Sequence, residues 1–280
     1  IDVSLVGSEM CIRDSLSAAA IIFFVKAGLL RGIDHIANAL KWSPKVRGQV
    51  TGYATSVPEL VCLLAAGLAG VWNAGLWNIA SSNIINTSLM LMAVIFYRQF
   101  KDLLSLRFLD ELLFAGLAIA VPVVMMQWEI DTAWYLVPLL LLFFVVYQVV
   151  DRRVNTPSTE QDATSEIVGN LPLGLLLAVG ASIAISIAGY FLGTSTAVVV
   201  KQMEIPPAVA GWILGFVTSI PEMVTFFAVY STAKKESTID GKSDTQECLD
   251  NLAGSNMSNV GVVYPLGLLA YLIGSRLLGS

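Results

Sequence analysis

Two glutamates stand in the same local frame inside apolar sequence. Glu59 ends the run TSVPE that begins at Thr55, and Glu222 ends TSIPE, which begins at Thr218. Thr55 and Thr218 each lie four residues before their glutamate, so hydroxyl and carboxyl share a helix face. Ser56 and Ser219 sit beside them. The same offset returns further along the chain, where it links Ser82 to Asn86 and Ser255 to Asn259. Together these groups form an oxygen-rich set of carboxylates, amides and hydroxyls, and carbonyls freed at Pro58 and Pro221 extend it. Hard cations such as calcium and sodium favour these ligands, whereas softer metals favour sulfur or imidazole.

Electrostatics sharpens the argument. An ionised glutamate at membrane depth is costly, and two close together repel unless a cation or proton intervenes. One divalent ion, two monovalent ions or two protons would each neutralise the pair, which makes exchange chemically natural. For a single glutamate, a protonated carboxyl that merely ties helices together is an equally good account. The repetition is what favours an ion site.

The elements that must position these groups are membrane helices. Hydrophobic residues make up 56 % of the chain and charged residues 13 %, about half the charge usual in a soluble domain. Long apolar runs alternate with charged junctions, as in a polytopic membrane protein. A bilayer excludes open sheets, so the fold class is all-α. Net charge is −5 without a basic tract, which argues against nucleic acid as a partner. The three cysteines share no metal-ligand spacing, and the single histidine, His35, cannot form a cluster. Nothing resembles a nucleophilic constellation, so the chain is not read as an enzyme.

Eight spans are expected: 17–40, 48–70, 73–97, 108–126, 133–150, 171–192, 206–230 and 248–272. The polar run 151–168 separates a first repeat of five helices (16–150) from a second of three (169–280). The fifth span reads as lipid-facing, with Tyr135 and Tyr147 at its interfaces. A charged loop is expected near 233–247, and Trp72, Trp77 and Trp128 read as interfacial markers. Gly52 and Gly215 allow close helix contact. Lys41, Lys45, Arg47, Arg98, Lys101, Arg107, Arg152 and Arg153 crowd the junctions on one side. The positive-inside rule makes that side, with the 151–168 linker, cytoplasmic and places the N-terminus outside. The two glutamate spans then run in opposite directions, as inverted repeats around a midplane site require. Residues 1–15, IDVSLVGSEMCIRDS, resemble a translated sequencing-adapter artefact and lack a signal-peptide layout.

The two segments YATSVPE with WNIASSNIIN, and FVTSIPE with DNLAGSNMSN, resemble the alpha repeats of the calcium/cation antiporter superfamily. The likeness is greatest to its prokaryotic sodium/calcium exchanger branch, whose repeats read roughly GTSLPE and GNxxGSNIFN. The resemblance implies an inverted-repeat antiporter fold in a prokaryotic inner membrane, exchanging calcium for sodium or protons by alternating access. Sliding of the first and sixth helices against the rest would gate it. It implies Glu59 and Glu222 as central ion-binding carboxylates. Thr55, Ser56, Thr218 and Ser219 are the hydroxyl and carbonyl contributors beside them. Ser82, Asn86, Ser255 and Asn259 follow from the next helices. The partners are then inorganic cations and the lipid bilayer, with no tightly bound cofactor, and a monomer suffices. Asn259 stands where the family pattern has aspartate, which leaves two matched carboxylates rather than three. A monovalent cation/proton exchanger and a non-transporting sensor or scaffold are the alternative readings. The family has ten helices, so the last two are expected to be missing. Asp250 lies nine residues before Asn259, on the opposite face of a helix, and is a poor substitute for the aspartate.

Overall fold

A computed structural model of the protein describes residues 3–154, 169–236 and 241–278. Among the described residues, all regular secondary structure is helical. The chain opens with α1 (Val3–Phe24), a π-helical turn (Val25–Leu29) and α2 (Leu30–Leu40), followed by α3 (Pro44–Thr55), α4 (Val57–Leu68) and α5 (Trp72–Phe96). Short α6 (Phe100–Leu103), α7 (Leu109–Gln127) and α8 (Leu136–Val154) complete the first half. The second half holds α9 (Leu171–Gln202), α10 (Pro207–Thr218), α11 (Ile220–Glu236), α12 (Gly241–Ser258), a π-helical turn (Asn259–Val263) and α13 (Tyr264–Leu278). Most of the 151–168 linker and the first two residues lie outside the described residues.

Among the described residues, seven helical stretches are long and apolar enough to cross a membrane: Arg13–Leu40, Pro44–Leu68, Trp72–Phe96, Leu106–Gln127, Leu171–Gln202, Pro207–Ser231 and Ser243–Arg276. The fifth expected span, now α8, has a shorter apolar run that ends in Asp151, Arg152 and Arg153. Large apolar side chains on α7, α8, α9 and α10 face outward, among them Leu113, Leu142, Leu176 and Ile213. This is the surface that a bilayer covers. The protein is an integral membrane protein.

Two helix seams organise the interior. The first-half helix α3 packs along α12 of the second half, and α10 of the second half packs along α5 of the first. Glycines make both approaches possible. A Cβ placed on Gly52 would lie 2.8 Å from the backbone nitrogen of Ser255, and one on Gly215 would lie 3.0 Å from that of Ser82. Around this centre, α1 and α2 run along the long α9, joined by a core of Ile21, Val25, Leu29, Ala181, Ile185 and Leu192. A second core of Leu76, Ile79, Met257, Val260, Tyr264 and Leu268 holds α5 against α12 and α13.

Several expectations are corrected. The sixth span does not stop near residue 192 but continues as one 32-residue helix to Gln202. The Lys201 side chain reaches back to the Ala69 carbonyl at 2.6 Å, an end position that lets its stem lie along apolar surface. The supposed loop near 233–247 is largely helix, with residues 237–240 outside the described residues. Its last turn is tied down. Glu247 meets Arg47 at 3.4 Å, and Arg47 also pairs with Asp34 of α2. Arg47→Ala is therefore expected to lower stability by about 2 kcal/mol, read as a fall in thermal midpoint in detergent.

Helix α8 is not purely lipid-facing. Leu136, Leu140, Tyr147 and Asp151 recur at helical spacing and are all buried. Tyr147 packs edge-on against Phe114 with ring centroids 4.9 Å apart, so it is a core residue. Trp72 is also buried, donating to Asp131 at 2.9 Å, rather than marking an interface.

Candidate cation-binding site

Both glutamate helices break immediately before their proline. Helix α3 ends at Thr55, Ser56 adopts φ −81° and ψ 0°, and α4 then starts with Pro58 in its first turn. The second copy repeats this: α10 ends at Thr218, Ser219 has φ −84° and ψ −3°, and α11 starts with Pro221 near its head. A proline ring removes the N–H that would bond the carbonyl four residues back, here Ala54 and Val217. Glu59 and Glu222 thus occupy the first turns of new helices, where the helix dipole favours negative charge.

All ten sequence-predicted residues converge in one buried region. Thr55, Glu59, Ser82, Asn86, Thr218, Ser219, Glu222, Ser255 and Asn259 have no exposed surface, and Ser56 is 2 % exposed. The contacts cross between halves. Ser56 Oγ lies 3.1 Å from Ser255 Oγ, which donates to Glu222 Oε1 at 2.8 Å. The Asn86 amide reaches Ser255 Oγ at 3.4 Å. Asn259 Nδ2 donates to Ser82 Oγ at 3.3 Å, and Ser219 Oγ approaches the Ser82 carbonyl at 3.5 Å. The Thr218 hydroxyl lies near Glu59 and the Thr55 hydroxyl near Glu222, but they donate to Asn78 Oδ1 at 3.2 Å and to the Gly52 carbonyl at 3.1 Å.

The satisfied and unsatisfied oxygens have a pattern. Both carboxyl oxygens of Glu59, one of Glu222 and the side-chain oxygens of Asn86 and Asn259 have no hydrogen-bond partner among the described residues. Native proteins pair nearly all such buried acceptors. Among the described residues, no lysine or arginine forms an ion pair with either glutamate. The arrangement offers several oxygens and no opposing charge, which is what a bound cation requires.

A family model for the sodium/calcium exchanger protein matches residues 15–151 and 173–277. The chain belongs to that family. Its fold is similar to that of the sodium-calcium exchanger NCX_Mj, as seen in a structure soaked with 100 mM Na+ and 10 mM Sr2+. That likeness has a TM-score of 0.56 at 21 % identity and covers 96 % of this chain and 89 % of that one. A second NCX_Mj structure, soaked with 2.5 mM Na+ and 0.1 mM Ca2+, gives a TM-score of 0.54 at 21 % identity over 94 % of this chain and 87 % of that one. At this identity the likeness concerns the fold, the inverted-repeat antiporter arrangement. No curated protein sequence matches the chain.

Within this exchanger fold, neighbouring asparagines join the site that sequence reasoning left out. Asn83 Oδ1 accepts from Asn259 Nδ2 at 2.9 Å, and Asn256 Oδ1 accepts from Asn86 Nδ2 at 3.2 Å. Asn78 Oδ1 accepts from Thr218 Oγ1 at 3.2 Å. All three are fully buried in the exchanger motifs, so uncompensated amides in apolar helices were the available signal. Asp250 is fully buried too, but bonds Gln246 rather than any central ligand, in keeping with its opposite helix face.

Proposed function

We propose that the chain is a secondary active antiporter that exchanges calcium for sodium or protons across a prokaryotic inner membrane. The linker lies in the cytoplasm and the N-terminus outside. The observation that carries this reading is the buried pair of Glu59 and Glu222 at two helix breaks, with acceptor oxygens to spare and no cationic partner among the described residues. Thr55, Ser56, Ser82, Asn86, Thr218, Ser219, Ser255 and Asn259 complete the ligand set. Ions move by alternating access. The first and sixth helices, α1–α2 and α9, slide against the rest, and small residues line the seam between α9 and α4, Gly193 against Ala65 and Gly189 against Pro58, which present little to interlock.

The test is calcium uptake into proteoliposomes under an imposed sodium gradient and, separately, a proton gradient. Uptake under one gradient names the counter-ion. Failure under both, with folded protein, rejects calcium exchange.

Asn259 supports a second reading as a monovalent cation/proton exchanger. Its amide nitrogen donates to Ser82 and Asn83, a role that a carboxylate cannot fill. Asn259→Asp adds a third negative charge and turns a donor against the Asn83 oxygen into an acceptor. The substitution is expected to steepen the dependence of transport on monovalent cation concentration, because a further cation is needed for neutrality. Initial uptake rates against sodium concentration check this.

A further inference from the structure

A second acidic centre lies outside the region just described, at the linker end of the bundle. Asp110 and Glu111 open α7, Asp151 closes α8, and their carboxylate oxygens lie within 4.8 Å of one another. Helix α12 adds Gln246 and Asp250. The Gln246 amide nitrogen bridges Glu111 Oε1 at 2.9 Å and Asp250 Oδ2 at 2.7 Å. From α3, Lys45 Nζ meets Asp151 Oδ1 at 2.7 Å and Gln49 Nε2 meets Asp151 Oδ2 at 2.6 Å. Four carboxyls therefore gather around one ammonium from four helices of both halves.

Acidic clusters at a protein surface are ordinary, but this one is interior. Glu111 and Asp151 are 2 % exposed and Asp250 is fully buried. Burying ionised carboxylates so close together is expensive without compensating positive charge. Independently, two acceptors on side chains of the cluster have no hydrogen-bond partner among the described residues: Asp250 Oδ1, and Oε1 of the buried Gln246. Gln246 spends its amide nitrogen on two carboxylates, which leaves its oxygen available to a positive charge. Asp250 hydrogen-bonds Gln246, and Glu111, Lys45 and Asp151 are charged groups that act on it. All the ligand atoms are oxygen, the preference of a hard cation. A monovalent ion together with Lys45 would still leave two negative charges in the interior, whereas a divalent ion leaves one.

We propose that Asp110, Glu111, Asp151, Gln246 and Asp250 form a second cation site that takes a calcium ion, separate from the Glu59–Glu222 centre. Asp250 precedes Ser255 by five residues on the same helix, about 7.5 Å along its axis. The second site therefore stands between the central ligands and the linker end. Its use as a staging point for transported ions rests on the antiport reading; its existence does not.

The test is direct calcium binding by equilibrium dialysis on the purified full chain in sodium-free detergent, with calcium alone as the probe. Size-exclusion profile and thermal midpoint establish that each variant is folded. The unsubstituted protein is expected to bind two calcium ions, and E59Q/E222Q to retain one. Adding E111Q, which keeps an acceptor for the Gln246 amide, should weaken the remaining ion at least tenfold. D110N, at a partly exposed position, does the same where E111Q fails to fold. Loss of all saturable calcium binding in folded E59Q/E222Q overturns the proposal. So does a remaining ion indifferent to both E111Q and D110N. A single calcium lost in E111Q yet kept in E59Q/E222Q upholds this site and rejects the central one.

Discussion

Glu59→Gln is expected to reduce calcium uptake at least about a hundredfold while leaving a folded protein. The amide has nearly the carboxylate's shape but no charge, and both Glu59 oxygens lack hydrogen-bond partners. Each charge-assisted contact to a cation contributes about 1.5–3 kcal/mol, and losing two exceeds about 3 kcal/mol, or roughly two powers of ten. Stability should move the other way or stay level, because the substitution removes a buried group whose ionised form is costly in the interior. Uptake and thermal midpoint, measured on the same preparation, separate these effects. Uptake equal to that of the unsubstituted protein would make Glu59 a helix tie.

Gly52→Val is expected to lower stability by about 1–3 kcal/mol and to reduce uptake more than tenfold, although Gly52 itself offers no ligand side chain. Even a methyl group there would overlap the α12 backbone at Asn251 and Ser255. The two helices must then separate, and separation pulls Ser56 from Ser255 and Ser255 from Glu222, contacts of 3.1 and 2.8 Å. Gly215→Val should behave alike, since its pocket is made by Asn78, Ser81 and Ser82 of α5. Gly116→Ala is the control. A Cβ there meets nothing within 4 Å, and alanine stabilises a helix by roughly 0.5–1 kcal/mol over glycine. Midpoints and uptake rates for the three variants check the contrast. Full activity in Gly52→Val would sever the link between seam spacing and site geometry.

The convergence of the ten candidate residues was legible in the sequence because a carboxyl in an apolar helix has few bland explanations, and a repeated one fewer still. The breaks were legible for a similar reason, since a proline two residues after a motif serine limits where a helix can continue. What was not legible depends on packing between distant segments. Periodicity alone cannot say that α8 turns Tyr147 and Asp151 inward, because Leu139 and Leu142 on its other face are just as apolar as Leu136 and Leu140. The polar run around Gln246 looked like a loop because decisive partners of its polar side chains lie far away in sequence. Arg47 and Glu111 are those partners, 200 and 135 residues away. The asparagines Asn83 and Asn256 were visible but not assignable, since their role is set by what faces them in the other half.

The crossed arrangement has a consequence for how the protein is made. Ser56 meets Ser255, 199 residues later in the chain. At about 5–20 residues per second of synthesis, α3 and α4 wait roughly 10–40 s before α12 exists. During that interval Glu59 is in or near lipid without Thr218 beside it. Its carboxyl must be carried through biogenesis as a proton-bearing group or kept at a wet boundary. The first repeat is thus a guest of the insertion machinery until its counterpart arrives. Coexpressing the two halves as separate chains should restore the site only when both are inserted together.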